Sequence, residues 1–414
     1  MTSSAPLNVV VAGGGVAALE AAMALHDLAG DRVRVTLVAP EPEFELKALR
    51  TAEPFAAGHV PRYALAELAA RLEVTLRAGT LSAVDTARRT VVLADGAELP
   101  YDALVVAVGA RPRPAYRRAI TFGADDRTEL LNALLSDLDG HYSRSVAFIV
   151  PPGVTWSLPL YEIALMTARE VHSMGIDDVR FELITPESTP LMLFGPDASD
   201  AAARLLETAG IAFRGGAYAD VDAHGQIRLM PGGEVLDAER IVALPVMEGP
   251  AVDGLPCDEH GFIPIDDHGR VRGVEDVYAA GDGADFPIKQ GGLACQQADA
   301  IAHELACRAG ADVEPEPFRP VLRGRLLTGR GDEYLRHALH GGAGRSQASH
   351  LALWYPPAKV SGRYLSRWLA RLDAELAANP PAETAGVEVE VDLWSGYARG
   401  RDALRLDPLS PVPR

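Results

Sequence analysis

Cysteine is scarce in this chain: 414 residues contain only Cys257, Cys295 and Cys307. None belongs to a C-x-x-C or C-x4-C pair. Cys295 and Cys307 fall on one predicted helix, where a rise of 1.5 Å per residue sets them about 18 Å apart, beyond disulfide reach. A redox-active disulfide formed by such a closely spaced pair is therefore absent, and the low count suits a reducing cytoplasm. Positive charge is also short, with 39 Lys and Arg against 57 Asp and Glu, a net charge of −18. That balance argues against nucleic acid or an anionic membrane surface as partner, while leaving room for a protein with a basic patch. No apolar run reaches membrane-spanning length. The opening Met1–Pro6 is short and uncharged, unlike a signal peptide, so a soluble cytoplasmic protein is expected. His337, His340 and His350 have no cysteine or carboxylate at ligand spacing, so no metal site is expected. What the chain has in quantity is apolar residues, 48% of the total, at a mean hydropathy of +0.04. Its length accommodates two or three domains.

Glycine carries the first positive signal. Val9 to Ala12 is a short apolar run, as in a strand buried on both faces of a parallel sheet. Gly13-Gly14-Gly15-Val16-Ala17-Ala18 follows, reading G-x-G-x-x-A. Gly13 and Gly15 permit a tight turn and close approach of a pyrophosphate, and Ala18 lets the next helix pack on the sheet. That helix spans Val16 to His26, and its free N-terminal amides form an anion site. The second strand, Val33 to Val38, runs into Glu41. Glu41 is the candidate for holding an adenosine ribose, although it sits late for that role; the alternative is an exposed turn carboxylate. Tyr101 to Pro112 (YDALVVAVGARP) contains Ala107 and Gly109. Far downstream, Val271 to Asp282 reads as a strand ending in Ala280-Gly281-Asp282. The helix Leu293–Ala309 begins just after Gly291-Gly292, offering a positive dipole end. In this order, the glycine segments read as two halves of one FAD site.

These motifs give the chain a resemblance, over roughly residues 7 to 310, to the pyridine nucleotide–disulfide oxidoreductase superfamily of two-dinucleotide-binding-domain flavoproteins. Within it, the chain is most similar to the branch of sulfide:quinone oxidoreductases, flavocytochrome c sulfide dehydrogenases and type II NADH dehydrogenases. The resemblance implies an α/β fold: two Rossmann-like FAD/NAD(P)-binding domains, the second inserted in the first, plus a small C-terminal α+β domain. It implies FAD held by Gly13, Gly15, Val16, Ala17, Ala18, Ala107 and Gly109, with Gly281 and Asp282 at its ribityl–phosphate arm. The segment Lys289, Gln290, Gly292 and Leu293 would face the flavin ring. Lys47 lies where this branch often brings a base to the FAD; otherwise it is a solvated lysine. Lys289 is the candidate for stabilising charge on the ring. Sulfur-carrying cysteines are expected in the sulfide branch, and residues 116 to 256 contain none. Cys295, near a helix N-terminus, is either a thiol of lowered pKa or a small buried residue.

An internal repeat supports the second dinucleotide fold: Val33–Glu41 reads VRVTLVAPE and Val179–Glu187 reads VRFELITPE. Its phosphate loop differs. After the strand Ser145–Val150 comes Pro151-Pro152-Gly153-Val154-Thr155-Trp156, with one glycine left and prolines that lack N–H donors. A second dinucleotide bound in the usual way is disfavoured; the alternative is NAD(P)H on an unusual loop with Glu187 at its ribose. Trp156 and Tyr161 are candidate walls of a donor pocket, or else domain packing.

The expected boundaries are 1–115 and 246–310 for the FAD domain, 116–245 for the second Rossmann-like domain, 311–380 for an interface domain and 381–414 for a tail. In the interface domain, Tyr364, Leu365, Trp368, Leu369 and Leu372 share a helix face, and Trp354, Tyr355 and Lys359 are candidates to line the flavin pocket. A homodimer through residues 311 to 375 is expected. The function expected is an FAD-dependent oxidoreductase, sulfide:quinone oxidoreductase-like, passing electrons from a small-molecule donor to a quinone, oxygen or a redox protein. Two alternatives are an NAD(P)H dehydrogenase or ferredoxin-type reductase, and a non-enzymatic flavin sensor.

Overall fold

Two parallel five-stranded sheets organise the molecule. The computed structural model describes residues 5–123, 128–329, 331–338 and 346–372. In the first sheet the strands run in the order 277–279, 103–106, 7–12, 33–39, 75–78; in the second, 120–121, 240–243, 145–149, 180–184, 211–214. Four of the five strands correspond in order, the edge strand coming last along the chain in the first sheet and first in the second, and the repeated VRVTLVAPE and VRFELITPE segments occupy the same place beside the central strand of their sheets. Both central strands, Leu7–Ala12 and Ser145–Ile149, are almost wholly buried, as strands flanked on both faces must be. Each sheet also has an antiparallel three-stranded annex, at 81–100 and 218–236. The strand expected over Val271–Asp282 is shorter, Val277–Ala279, because Val271 turns back to bridge Ile265.

Among the described residues the helices are α1 (Val16–Ala29), α2 (Leu65–Arg71), α3 (Thr128–Asp139), α4 (Leu158–Ser173), α5 (Pro196–Thr208), α6 (Gly291–Arg308) and α7 (Leu365–Leu372). Alanine lets α1 and α6 lie close together over the first sheet, with Ala17, Ala18, Ala21, Ala294, Ala298 and Ala302 in one core with α7. On the second sheet, Tyr161, Phe148, Leu134 and Phe194 fill a core that extends to Leu322 and Leu326 of the last sheet. That sheet, Val321–Leu326, Glu333–Ala338 and Gln347–Ser349, is antiparallel. The two large sheets are joined by a short antiparallel pair, Arg111–Arg113 with Val246–Glu248.

Candidate functional site

A cleft of about 2010 Å³ runs from the glycine loop of the first sheet to the loop ends of the second. This exceeds the usual range of small-ligand pockets, roughly 300–1,000 Å³, and leaves space for a dinucleotide and a second small molecule. Its floor is Gly13–Ala17. Gly13 has φ +135°, and a Cβ there would lie 2.2 Å from the carbonyl oxygen of Ala107. Gly15 caps α1 without a side-chain hydrogen bond, and nothing lies within 4 Å of where its Cβ would be. One glycine thus closes the turn and the other leaves the start of α1 open to an anion. Ala107, Gly109, Gly281 and Asp282 also line the cleft. Gly281, at φ +80°, donates its N–H to Gln297 Oε1 at 2.7 Å, and a Cβ there would lie 3.3 Å from the Ala17 methyl. Ala18 is fully buried beneath the loop. Glu41 and Lys47 are exposed side chains on the cleft's outer wall, beside Arg50, whose guanidinium pairs with Glu45 at 2.8 Å.

Burial pushes the Asp282 carboxyl above the usual range, an effect opposed by the Lys289 cation. Lys289 donates to the Ala284 carbonyl at 2.5 Å and lies 3.7 Å from the centroid of the Phe262 ring. Desolvation lowers its pKa to about 8, against the raising effect of Asp282, Asp285 and Asp258. Three neighbours of Lys289 depart from the sequence expectation, because Gln290, Gly292 and Leu293 do not line the cleft while Gly291 and Ala294 do. The Gln290 side chain instead caps α6, accepting from Leu293 N–H at 2.7 Å and donating to Arg323 O at 3.1 Å.

Trp156 lines the cleft half-buried, its ring 5.8 Å from that of Phe194. Tyr161 does not: it is fully buried, and its hydroxyl donates to Glu187 Oε2 at 2.9 Å. The helical period carries it from the loop into the core of the second domain. Glu187 Oε2 also accepts from Thr185 Oγ1 at 3.1 Å, while its Oε1 is buried without a hydrogen-bond partner. The Val154 N–H turns back to Pro151 O at 3.2 Å, and Pro159 occupies the first turn of α4.

Lys359 and Trp354 are buried away from the cleft, Tyr355 is exposed, and Val360 takes the wall position. Lys359 pairs with Glu162 of α4, which also accepts from Thr51 Oγ1 and Leu327 N–H, each at 2.9 Å. Burial raises the Glu162 pKa and lowers that of Lys359, and their mutual attraction opposes both shifts. Glu162 was missed in the sequence because a lone glutamate on an apolar helix has no partner within reach along the chain. Cys295 is fully buried, and burial pushes its thiol well above the ordinary value, the reverse of activation. Of the three histidines considered for a metal, His337 bonds to Leu193 O, His350 pairs with Glu333, and His340 lies outside the described residues. The described residues contain no cluster suited to a metal ion.

Residues 2–130 and 162–300 match the model of the pyridine nucleotide-disulphide oxidoreductase family. The chain belongs to that family. It is an FAD-dependent oxidoreductase, and the open glycine turn, the half-buried Asp282 facing the cleft and the start of α1 fit this cofactor. An NADH dehydrogenase-like protein of Mycobacterium tuberculosis is 26% identical over 334 residues, which cover 75% of this chain and 82% of that protein. The sulfide:quinone oxidoreductase of Aquifex aeolicus shares the fold at a TM-score of 0.75 and 19% identity, with 83% of this chain and 87% of that one covered. A ferredoxin reductase from Rhodopseudomonas palustris gives a TM-score of 0.58 at 20% identity, covering 80% and 82%. No helix among the described residues is long and apolar enough to cross a membrane.

Proposed function

We propose that this flavoenzyme takes electrons from a small donor other than a nicotinamide dinucleotide and passes them to a quinone, oxygen or a redox protein. The observation that carries this reading is the second sheet's loop. Its prolines offer no N–H, its Val154 N–H is spent internally, and the acidic residue at the ribose position is bonded to Tyr161. The second domain's contribution to the cleft is correspondingly apolar, with Phe122, Val154, Trp156 and Leu244 and no charged side chain. A polyanionic dinucleotide finds no cationic side chain there.

FAD, when bound, supplies a two-electron carrier. Gly13 to Ala17 would hold its pyrophosphate, Glu41 its ribose, and Asp282 a ribityl hydroxyl; Lys47 would add a positive charge at the outer wall. The start of α6 and Lys289 would offset negative charge developing on the ring. Trp156 would exclude water on the donor side. The absence of cysteine in residues 116 to 256 speaks against a sulfur-carrying mechanism.

The likeness to an NADH dehydrogenase-like protein favours a second reading, an NAD(P)H dehydrogenase. An anaerobic titration of the FAD-loaded protein with NADH and then NADPH separates the two. The flavin absorption is expected to persist with both and to bleach with dithionite. Rapid bleaching by either nucleotide would overturn the proposal.

A further inference from the structure

Lysine is rare in this chain, which has only Lys47, Lys289 and Lys359. Lys359 is locked in its buried pair with Glu162, and Lys47 is exposed on the outer wall. Lys289 is different: it lines the cleft, and its ammonium makes two close contacts with the protein. It donates to the Ala284 carbonyl at 2.5 Å, and its Nζ lies 3.7 Å from the centroid of the Phe262 ring. An ammonium has three N–H donors. The other two find no hydrogen-bond acceptor among the described residues.

The backbone fixes Phe262 beside that carbonyl. The next residue, Ile263, bridges Ala284; its N–H donates to Gly283 O at 3.0 Å, and Asp285 N–H donates to Ile263 O at 2.9 Å. On the other side of Phe262, Asp258 closes a tight turn. Asp258 Oδ1 accepts from Phe262 N–H at 2.9 Å, and Asp258 N–H donates to Phe262 O at 2.9 Å. Gly249 N–H holds the same turn at His260 O, 2.8 Å away, and a Cβ on Gly249 would lie 2.1 Å from the carbonyl carbon of Gly261. The phenyl ring, buried in the cleft wall, thus has little freedom to move. Its face carries partial negative charge, which attracts a cation most strongly where water is excluded. A leucine would fill the place without offering such a face.

We infer that Phe262 is a positioning residue, whose ring face holds the Lys289 ammonium at the Ala284 carbonyl as a cation and leaves its remaining donors to the cofactor. The inference rests on the reading given above, that Lys289 offsets charge developing on the flavin.

The charged groups facing Lys289 are Asp282 and Asp285, after strand Val277–Ala279, and Asp258 in the turn before Phe262. All three favour its charged form, and burial opposes them, leaving its pKa at about 8. The ring face acts in the same direction as the carboxylates. Without it, Lys289 gives up its proton at a pH lower by about one unit.

Three lysines give three sets of Cε signals in the NMR spectrum of FAD-bound protein labelled with ¹³C-lysine, and Lys289→Met identifies one set by its loss. The titration midpoint of that set is expected to fall by about one pH unit in Phe262→Leu and to stay in place in Phe262→Tyr, which keeps a ring face. An unchanged or raised midpoint in Phe262→Leu, or an equal fall in Phe262→Tyr, would overturn the inference. Should neither variant fold, the wild type decides. Ring current is expected to move the Lys289 Hε protons upfield of those of Lys47, and equal positions would overturn it. The flavin's midpoint potential reads the link to the reaction. Its slope against pH is expected to steepen from about pH 8 in the wild type, where neutral Lys289 takes up a proton on reduction, and from about one unit lower in Phe262→Leu. A steepening that does not move in Phe262→Leu would overturn the inference. A wild type with no steepening would overturn the underlying reading of Lys289 instead, while the lysine signals still decide the contact with Phe262.

Discussion

A methyl group at Gly13 would sit 2.2 Å from a backbone oxygen of the neighbouring strand, and φ +135° is closed to side chains. Gly13→Ala must therefore shift the turn under the cofactor. Strain of about 2 kcal/mol corresponds to about 30-fold weaker FAD binding, measurable by flavin fluorescence on titrating the apoprotein. Lys289 makes a different residue-scale prediction. With its pKa lowered to about 8, it is a cation below that pH and neutral above. Lys289→Met is expected to slow flavin reduction by about tenfold below pH 8 and to have much less effect at pH 9.5, checked by stopped-flow absorbance with dithionite. An effect equal at both values would assign the residue a packing role only.

At the scale of elements, the Glu162–Lys359 pair ties α4 to the segment before α7 and, through Thr51 and Leu327, to the turn at residue 51 and the residue after strand Val321–Leu326. Glu162→Gln leaves an unpaired buried cation, expected to cost about 3–5 kcal/mol and to lower the thermal midpoint of the holoprotein. Glu162→Met combined with Lys359→Met is expected to recover most of that loss, because two apolar side chains have no charge to desolvate. The elements themselves were legible where a local rule dictates them. The glycine turn and α1 follow from Gly13, Gly15 and the alanines; α6 lies where a helix was expected but starts at Gly291 rather than after Gly292, because Gln290 caps it. Local rules fail where a partner lies far along the chain. Tyr161 reads as a pocket wall beside Trp156, but one helical turn sends it inward to Glu187. Gln290 reads as a cofactor contact, but its side chain caps its own helix. Glu20 of α1 was equally hidden, since it accepts from the N–H groups of Tyr364 and Leu365, 344 and 345 residues away in sequence.

For the whole molecule, the duplicated sheet was visible in the sequence because the repeat preserves apolar strand patterns, even though the second phosphate loop has changed. What was not visible is the depth to which the C-terminal region enters the cleft, since only packing places Val360 there. The strand order has a further consequence for how the enzyme is made. The second sheet is built from one continuous stretch, residues 120–243, whereas the first takes its edge strand, 277–279, from beyond that stretch. A ribosome delivers the N-terminal strands long before their last neighbour, so the inserted unit has its full set of strands first. On the proposed site, the glycine turn at Gly13 is joined by Gly281 and Asp282 only after the insert is made, so stable cofactor loading is expected late in synthesis. A nascent chain stalled before residue 277 should hold a folded insert and no flavin.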